Sequence, residues 1–97
     1  MATYIMLLNW TDQGIRNVKD TTKRATQASE MSAKMGVKMK EIYWTVGQYD
    51  VVATYEAPDD ATMTALALAV GAQGNVRTTT LRAFSKEEMS KILGKVG

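Results

Sequence analysis

The side chains of this chain that could carry out chemistry are few, because it contains no histidine and no cysteine. Their absence excludes disulfides, thiolate metal sites, a cysteine nucleophile and the usual general base at neutral pH. Axial haem ligation by either residue is excluded as well. Among the remaining acid–base groups, Asp50 and Tyr43 are the best placed. We therefore expect no metal site and no cofactor, and the catalytic residues of any enzyme activity stay unknown.

Asp50 and Tyr43 lie in a stretch, residues 41–56, that predicts two strands folded back on each other. β-branched and aromatic residues dominate both arms, and Gly47-Gln48 suits a two-residue turn with positive φ at its first position. Counting outward from that turn pairs Trp44 with Val51. Alternation then predicts an apolar face that packs against helices and carries Ile42, Trp44, Val46, Tyr49, Val51 and Ala53. The opposite, mixed face carries Glu41, Tyr43, Thr45, Asp50, Val52 and Thr54.

The elements that position this hairpin follow from periodicity and caps. A strand is predicted over 3–10, after which Thr11 can cap the next turn. A helix is predicted over 12–35 with a break near 20–22, where Thr21 could begin a second cap. A small-residue face of that helix suits close packing on a sheet, and Gly36 ends it. A β-bulge is expected near residues 40–41. A helix over 60–72 follows, with Met63, Leu66, Ala67 and Val70 at helical spacing toward the core. A strand over 75–84 and a short helix capped by Ser85 complete the chain.

This order predicts an α+β, ferredoxin-like β-α-β-β-α-β fold with a short C-terminal helix. The first strand has apolar residues on both faces, with Tyr4, Met6 and Leu8 on the face toward the helices, and it should be central. Helices cover only one face of such a sheet. The bare face would expose Ile5, Leu7, Val52 and Tyr43, so a second subunit's sheet should cover it. We therefore predict a homodimer that forms a dimeric α+β barrel. The alanine-rich outer face of residues 61–72 indicates a higher homo-oligomer as a further option.

Five short motifs in this order resemble the GYD-domain family, which is named for its Gly-x-Tyr-Asp hairpin. They are Trp10-Thr11-Asp12-Gln13-Gly14-Ile15, Tyr43-Trp44-Thr45, Gly47-Gln48-Tyr49-Asp50, Ala57-Pro58-Asp59-Asp60 and Gly74-Asn75-Val76-Arg77-Thr78. The resemblance covers almost the whole chain, although residues 20–35 and those after Phe84 match loosely. It implies a small prokaryotic domain related to dimeric α+β barrels, in a family with no settled biochemical role.

Polar side chains are expected between the two facing sheets, where unpaired groups must find a ligand or each other. At the end of the first strand Asn9, Tyr43, Thr45, Asp50 and Thr78 should converge, with Thr80 deeper and Arg82 able to hold a carboxylate. For Asp50, hydrogen bonding at the hairpin turn or an ion pair with Arg77 is favoured over a ligand anchor or a catalytic base. For Arg82, the structural alternative is a pair with Glu41 or Glu56.

Two function classes remain for what we expect to be a single domain, residues 1–97. The first is a homo-oligomeric module for binding a small molecule or for assembly. The second is a cofactor-free enzyme acting on a small aromatic or carbonyl substrate, so enzyme activity stays open.

Composition argues against other classes of partner. The net charge of +2 is small, and the basic residues between 16 and 40 read as a solvated helix surface rather than a phosphate-binding stripe. Residues 50–57 lack the basic-Gly-aromatic pattern that stacks RNA bases, so we expect no nucleic acid. No window is apolar enough to span a membrane, and no signal peptide is evident, so a cytoplasmic location is expected.

Overall fold

The computed structural model describes residues 1–97 as four strands, four α-helices and one 3-10 turn. In chain order they are β1 (Ala2–Trp10), α1 (Asp12–Arg16), the 3-10 turn (Val18–Asp20), α2 (Thr21–Lys34), β2 (Lys38–Trp44), β3 (Val51–Ala57), α3 (Asp60–Ala72), β4 (Val76–Ala83) and α4 (Lys86–Leu93). The predicted break in the first helix is confirmed by the 3-10 turn. Thr21 is not its cap, however: Asp20 precedes α2, and Thr21 is already its first residue.

The four strands form one antiparallel sheet in the order β2-β3-β1-β4. The first strand is central, as its apolar residues on both faces predict. This topology is an α+β arrangement consistent with the predicted ferredoxin-like fold. No helix of the protein is both long enough and apolar enough to cross a membrane.

One face of the sheet packs against α2 and α3 and carries the hydrophobic core. Because strand residues alternate, Tyr4, Met6 and Leu8 share this face with alternate residues of β3. From α3, Met63, Leu66 and Val70 are buried against them, which confirms the helical periodicity. Burying side chains of this size contributes roughly 1.5–3 kcal/mol each. We call this side of the sheet the covered face.

A β-bulge between Met39 and Glu41 corrects the alternation of β2, as predicted. Without the extra residue, Met39 would lie on the opposite face from Ile42. With it, both side chains are partly buried against the core. The bulge therefore lets the edge strand contribute to the covered face along its whole length.

The helix ends are fixed by the residue types that the sequence indicates. Thr11 Oγ1 accepts a hydrogen bond of 3.0 Å from the Gly14 amide, and Ser85 forms a capping box with Glu88. Asp59 caps α3 by accepting from the Thr62 amide at 2.8 Å, and this bond holds the pKa of the carboxyl below its ordinary value. Gly36, at φ +77°, ends α2 in the left-handed conformation predicted for it.

The β2–β3 hairpin has the predicted register but a longer connection. Trp44 pairs with Val51, yet the ladder stops there, and residues 45–50 form a loop closed by a 2.9 Å bond from the Thr45 amide to the Asp50 carbonyl. The Asp50 amide donates instead to Leu8 of β1, at 2.9 Å, so the loop is drawn toward the central strand. The prediction of a two-residue turn is therefore wrong. Val46 is fully exposed rather than part of an apolar face.

Candidate functional site

Three of the predicted site residues, Asn9, Thr45 and Asp50, meet at the end of β1. Each makes a hydrogen bond with the backbone of the hairpin loop or of β1. Asn9 Nδ2 donates to the Gln48 carbonyl at 2.7 Å, and Thr45 Oγ1 donates to the Tyr49 carbonyl at 2.5 Å. Asp50 Oδ2 accepts from the Trp10 amide at 2.9 Å. Asp50 thus makes a structural contact, but not one that was predicted, because its carboxylate accepts from β1 rather than from the hairpin turn. No ion pair forms between Asp50 and Arg77.

Tyr43 lies on the edge strand β2, on the other side of the sheet from the helices. It is 56% exposed, and its hydroxyl donates to Glu41 Oε2 at 2.9 Å. The hydrogen bond to the carboxylate, followed by the negative charge of Glu41, raises the pKa of the Tyr43 phenol above its ordinary value. The Tyr43 phenol therefore stays protonated as a hydrogen-bond donor and is not activated as a base.

The remaining three predicted residues, Thr78, Thr80 and Arg82, lie on the covered face. The register of β4 against β1 places Thr78 opposite Leu8 and Thr80 opposite Met6. Directly opposite residues share a face, so these side chains cannot join Tyr43 on the far side of the sheet. The predicted convergence was wrong for them because they were assigned to the bare face, whereas the register places Thr78 and Thr80 on the side of the helices.

Arg82 is held by neighbours that the sequence did not indicate. Its guanidinium lies 4.4 Å from the centre of the Phe84 ring and 3.8 Å from Glu88 Oε2, and it donates to the Thr3 and Ala83 carbonyls. The suggested pairs with Glu41 or Glu56 do not form. Glu56 lies 3.7 Å from Lys40 instead. Arg82 thus ties the start of α4 to the sheet.

A polar cleft beside Arg82 contains a pair that sequence reasoning missed. The Tyr4 hydroxyl donates to Asp60 Oδ1 at the start of α3, and Thr80 lines the same cleft. This hydrogen bond, together with burial, raises the pKa of Tyr4 above its ordinary value. Alternation identified Tyr4 as core, but nothing in the sequence relates it to a partner 56 positions away.

The sheet surface opposite the helices, which we call the open face, carries a row of apolar side chains that no helix covers. Strand register brings together on it the side chains of Ile5, Leu7, Tyr43, Val52 and Leu81. Ile5, Leu7 and Val52, on the two central strands, are partly exposed. Leu81, on the edge strand, is 45% exposed. Contiguous apolar surface with a polar border is typical of sites that contact another protein.

The C-terminal helix α4 is a second uncovered apolar element. Met89 and Leu93, one helical turn apart, are both exposed, and α4 contributes no residue to the core. The radius of gyration, 14.5 Å, exceeds the roughly 12.5 Å expected for a compact chain of this length. Both features indicate an extended molecule with surface available for association.

The fold and these surfaces define a class: a small α+β protein whose sheet is covered on one side and presents an apolar open face on the other. The structure contains no group of three or more acidic, His or Cys side chains that could hold a metal ion. The hydrogen-bonding groups of the hairpin end are engaged with the backbone. The apolar open face is the feature of this arrangement that is suited to contact with another macromolecule.

The chain belongs to the GYD domain family, whose model matches residues 4–93. The resemblance in the five motifs is thus confirmed. The chain is also similar to a protein of Thermus thermophilus named "Glutamine synthetase and cystathionine beta-lyase binding protein", with 33% identity over 85 residues. That match covers 87% of this chain and 90% of the relative.

Proposed function

We propose that this protein is a homo-oligomeric binding module that pairs with a second copy through the open face and, so assembled, binds another protein. The observation that carries the proposal is the row of apolar side chains on the open face, formed by both central strands and both edge strands. Leaving several such side chains in water is unfavourable by roughly 1.5–3 kcal/mol each relative to burial. A second copy presents an identical row, so a two-fold pairing matches apolar surface with apolar surface.

The name of the Thermus relative supports the second half of the proposal. A protein named for binding two enzymes is an interaction module, and its similarity extends over most of this chain. Glutamine synthetase and cystathionine beta-lyase are therefore the first candidate partners. The cofactor-free enzyme is less well supported, since Asp50 is engaged with the backbone of β1 and Glu41 raises the pKa of Tyr43.

The pairing is tested by the molar mass in solution of two matched variants. Leu81 on the open face and Ile15 on α1 are exposed to similar degrees, 45% and 49%. Leu81→Glu should convert a dimer to monomers, because two carboxylates would face an apolar surface. Ile15→Glu adds the same charge away from the open face and should leave the mass unchanged. A wild-type monomer at micromolar concentration in light scattering would contradict the pairing, as would a Leu81→Glu dimer.

The protein partner is tested separately by surface plasmon resonance with purified glutamine synthetase and cystathionine beta-lyase from the same organism. We expect the wild-type protein and Ile15→Glu to bind at least one of the enzymes, and Leu81→Glu to bind more weakly. If neither enzyme binds, these partners are wrong, whatever the molar mass. If Leu81→Glu binds equally well as a monomer, then assembly and partner binding are independent.

A further inference from the structure

A cavity of about 70 Å³ lies on the covered face, between the start of α2, the end of α3 and the sheet. Its walls are mostly apolar and include the only two tryptophans of the chain, Trp10 and Trp44. A cavity needs roughly 10–15 Å³ to hold one water molecule, so this one is large enough for several atoms of a ligand. It is separated by the sheet from the open face, and it is independent of the function proposed above.

The cavity lies where α2 has small side chains, because these do not reach far enough to fill the space between the helix and the sheet. Ala25 and Ala28 line the cavity, whereas Ser32, one turn further along the helix, is fully buried. The close packing expected for this helix face is therefore achieved near Ser32 but not near Ala25. The walls beside Ala25 and Ala28 are apolar and favour an apolar group of a ligand.

One wall of the cavity carries a cation that lacks a full set of partners. Arg24 Nη1 donates to the Asn17 carbonyl at 2.9 Å, but its Nη2 is buried and has no hydrogen-bond acceptor. Neither of the two ion pairs in the protein includes Arg24. A buried charged donor without an acceptor is unfavourable, and guanidinium groups stay protonated in proteins. Arg24, which was predicted to belong to a solvated helix surface, thus lines the cavity and carries a buried donor without an acceptor.

A second donor lies beside Arg24. Thr21, one helical turn earlier, also lines the cavity, and its Oγ1 accepts a 3.0 Å hydrogen bond from the Trp44 indole. The hydroxyl proton of Thr21 has no acceptor of its own and can be donated to a ligand. Trp44 also lines the cavity and is 40% exposed, so this part of the wall reaches the solvent.

We propose that this cavity binds a small monocarboxylate whose apolar body has about three to five carbon atoms, a size suggested by the volume. The carboxylate accepts from Arg24 Nη2 and from the Thr21 hydroxyl, and the apolar body lies against Ala25, Ala28 and the tryptophans. A carboxylate matches a guanidinium in charge and geometry. A phosphate or a dianion fits less well, because Arg24 is the only cation that lines the cavity.

Isovalerate is a suitable probe, and the indole N–H signals of Trp10 and Trp44 in ¹⁵N-correlated NMR spectra report directly on the cavity. Titration should shift both signals in a saturable way, together with backbone amides near Ala25 and Ala28. The uncharged analogue 3-methyl-1-butanol should bind at least about tenfold more weakly, since it lacks the charge-assisted hydrogen bonds. Shifts confined to exposed lysines would show non-specific anion binding and overturn the proposal.

Three variants complete the test. Arg24→Met should weaken isovalerate binding at least about tenfold and leave the binding of the alcohol nearly unchanged. Lys23→Met removes the same charge from the adjacent, exposed position and should bind isovalerate like the wild type. Ala28→Leu should fill the cavity and abolish binding of both probes without lowering the melting temperature. Equal isovalerate affinity in the wild type and Arg24→Met, or in the wild type and a folded Ala28→Leu variant, would overturn the site.

Discussion

The two faces of the sheet use similar residues in different environments. On the covered face, Met6 and Leu66 are fully buried, and the helices close over them. On the open face, Leu7 and Leu81 are equally apolar but remain accessible to solvent. The strands cannot distinguish the faces by apolar content alone, so the connections decide, because both α2 and α3 return to the same side. The open face, which no helix covers, is therefore the surface that we propose for contact with another molecule.

A matched pair of leucine truncations should give the largest contrast between the faces. Leu66→Ala should lower the free energy of unfolding by about 2–5 kcal/mol at every protein concentration, because it leaves a cavity in the core. Leu81→Ala should cost less than about 1 kcal/mol at high dilution and more at high concentration, where association contributes. Urea unfolding at two protein concentrations measures both. A concentration-independent loss for Leu81→Ala would contradict a role in assembly.

The two faces should also differ in how a tyrosine on each affects stability at alkaline pH. Burial raises the pKa of Tyr55 on the covered face to about 12, from an ordinary value of 10.0. Since the unfolded chain loses its proton first, stability should fall as the pH rises from 10 to 12, by about 2–3 kcal/mol in total.

Phenylalanine variants identify the source of that decline. Tyr55→Phe should remove most of it in urea unfolding at several pH values. Tyr43→Phe, on the exposed side, should change it little, because solvent screens the contact with Glu41. An unaltered decline in Tyr55→Phe would mean that another group controls alkaline unfolding.

Asp50 lies beside the end of β1, and its substitution is a more specific test with a smaller expected effect. Asp50→Asn keeps an acceptor for the Trp10 amide but removes the charge, so we expect a loss of about 1 kcal/mol, or roughly 4–8 °C in melting temperature. Glu30→Gln, at an exposed position of α2, is the control and should change the melting temperature little. If Asp50→Asn keeps its melting temperature but loses a small molecule that co-purifies with the wild type, the hairpin end is a ligand site.

The smallest effect on stability is expected on the outer side of α3. Ala65 is exposed and Ala69 partly so, and a glutamate at either position should change the free energy of unfolding by less than about 0.5 kcal/mol. If α3 mediates a higher homo-oligomer, either variant should reduce the molar mass to that of a dimer. An unchanged mass would limit assembly to other surfaces, the open face among them.

The sequence alone determined what depends on local pattern. Alternation and periodicity identified the core residues of β1 and α3, and cap chemistry identified Thr11, Ser85 and Gly36 as the ends of elements. The bulge near Glu41 was also foreseen, because only an extra residue brings Met39 and Ile42 to one face. The family was recognisable from motifs that combine turns and caps, which are the features a sequence records most directly.

Only the tertiary structure decided what depends on pairing between distant segments. The register of β4 against β1 sends Thr80 and Arg82 to the helices, and no local signal in β4 states which of its faces is covered. The Tyr4–Asp60 pair joins residues far apart in the chain. In the sequence, Arg24 resembles any exposed cation of a helix. Only the structure shows that it donates to the Asn17 carbonyl and lines the cavity. Alternation predicts that two faces differ, but the packing of the whole chain determines what each face meets.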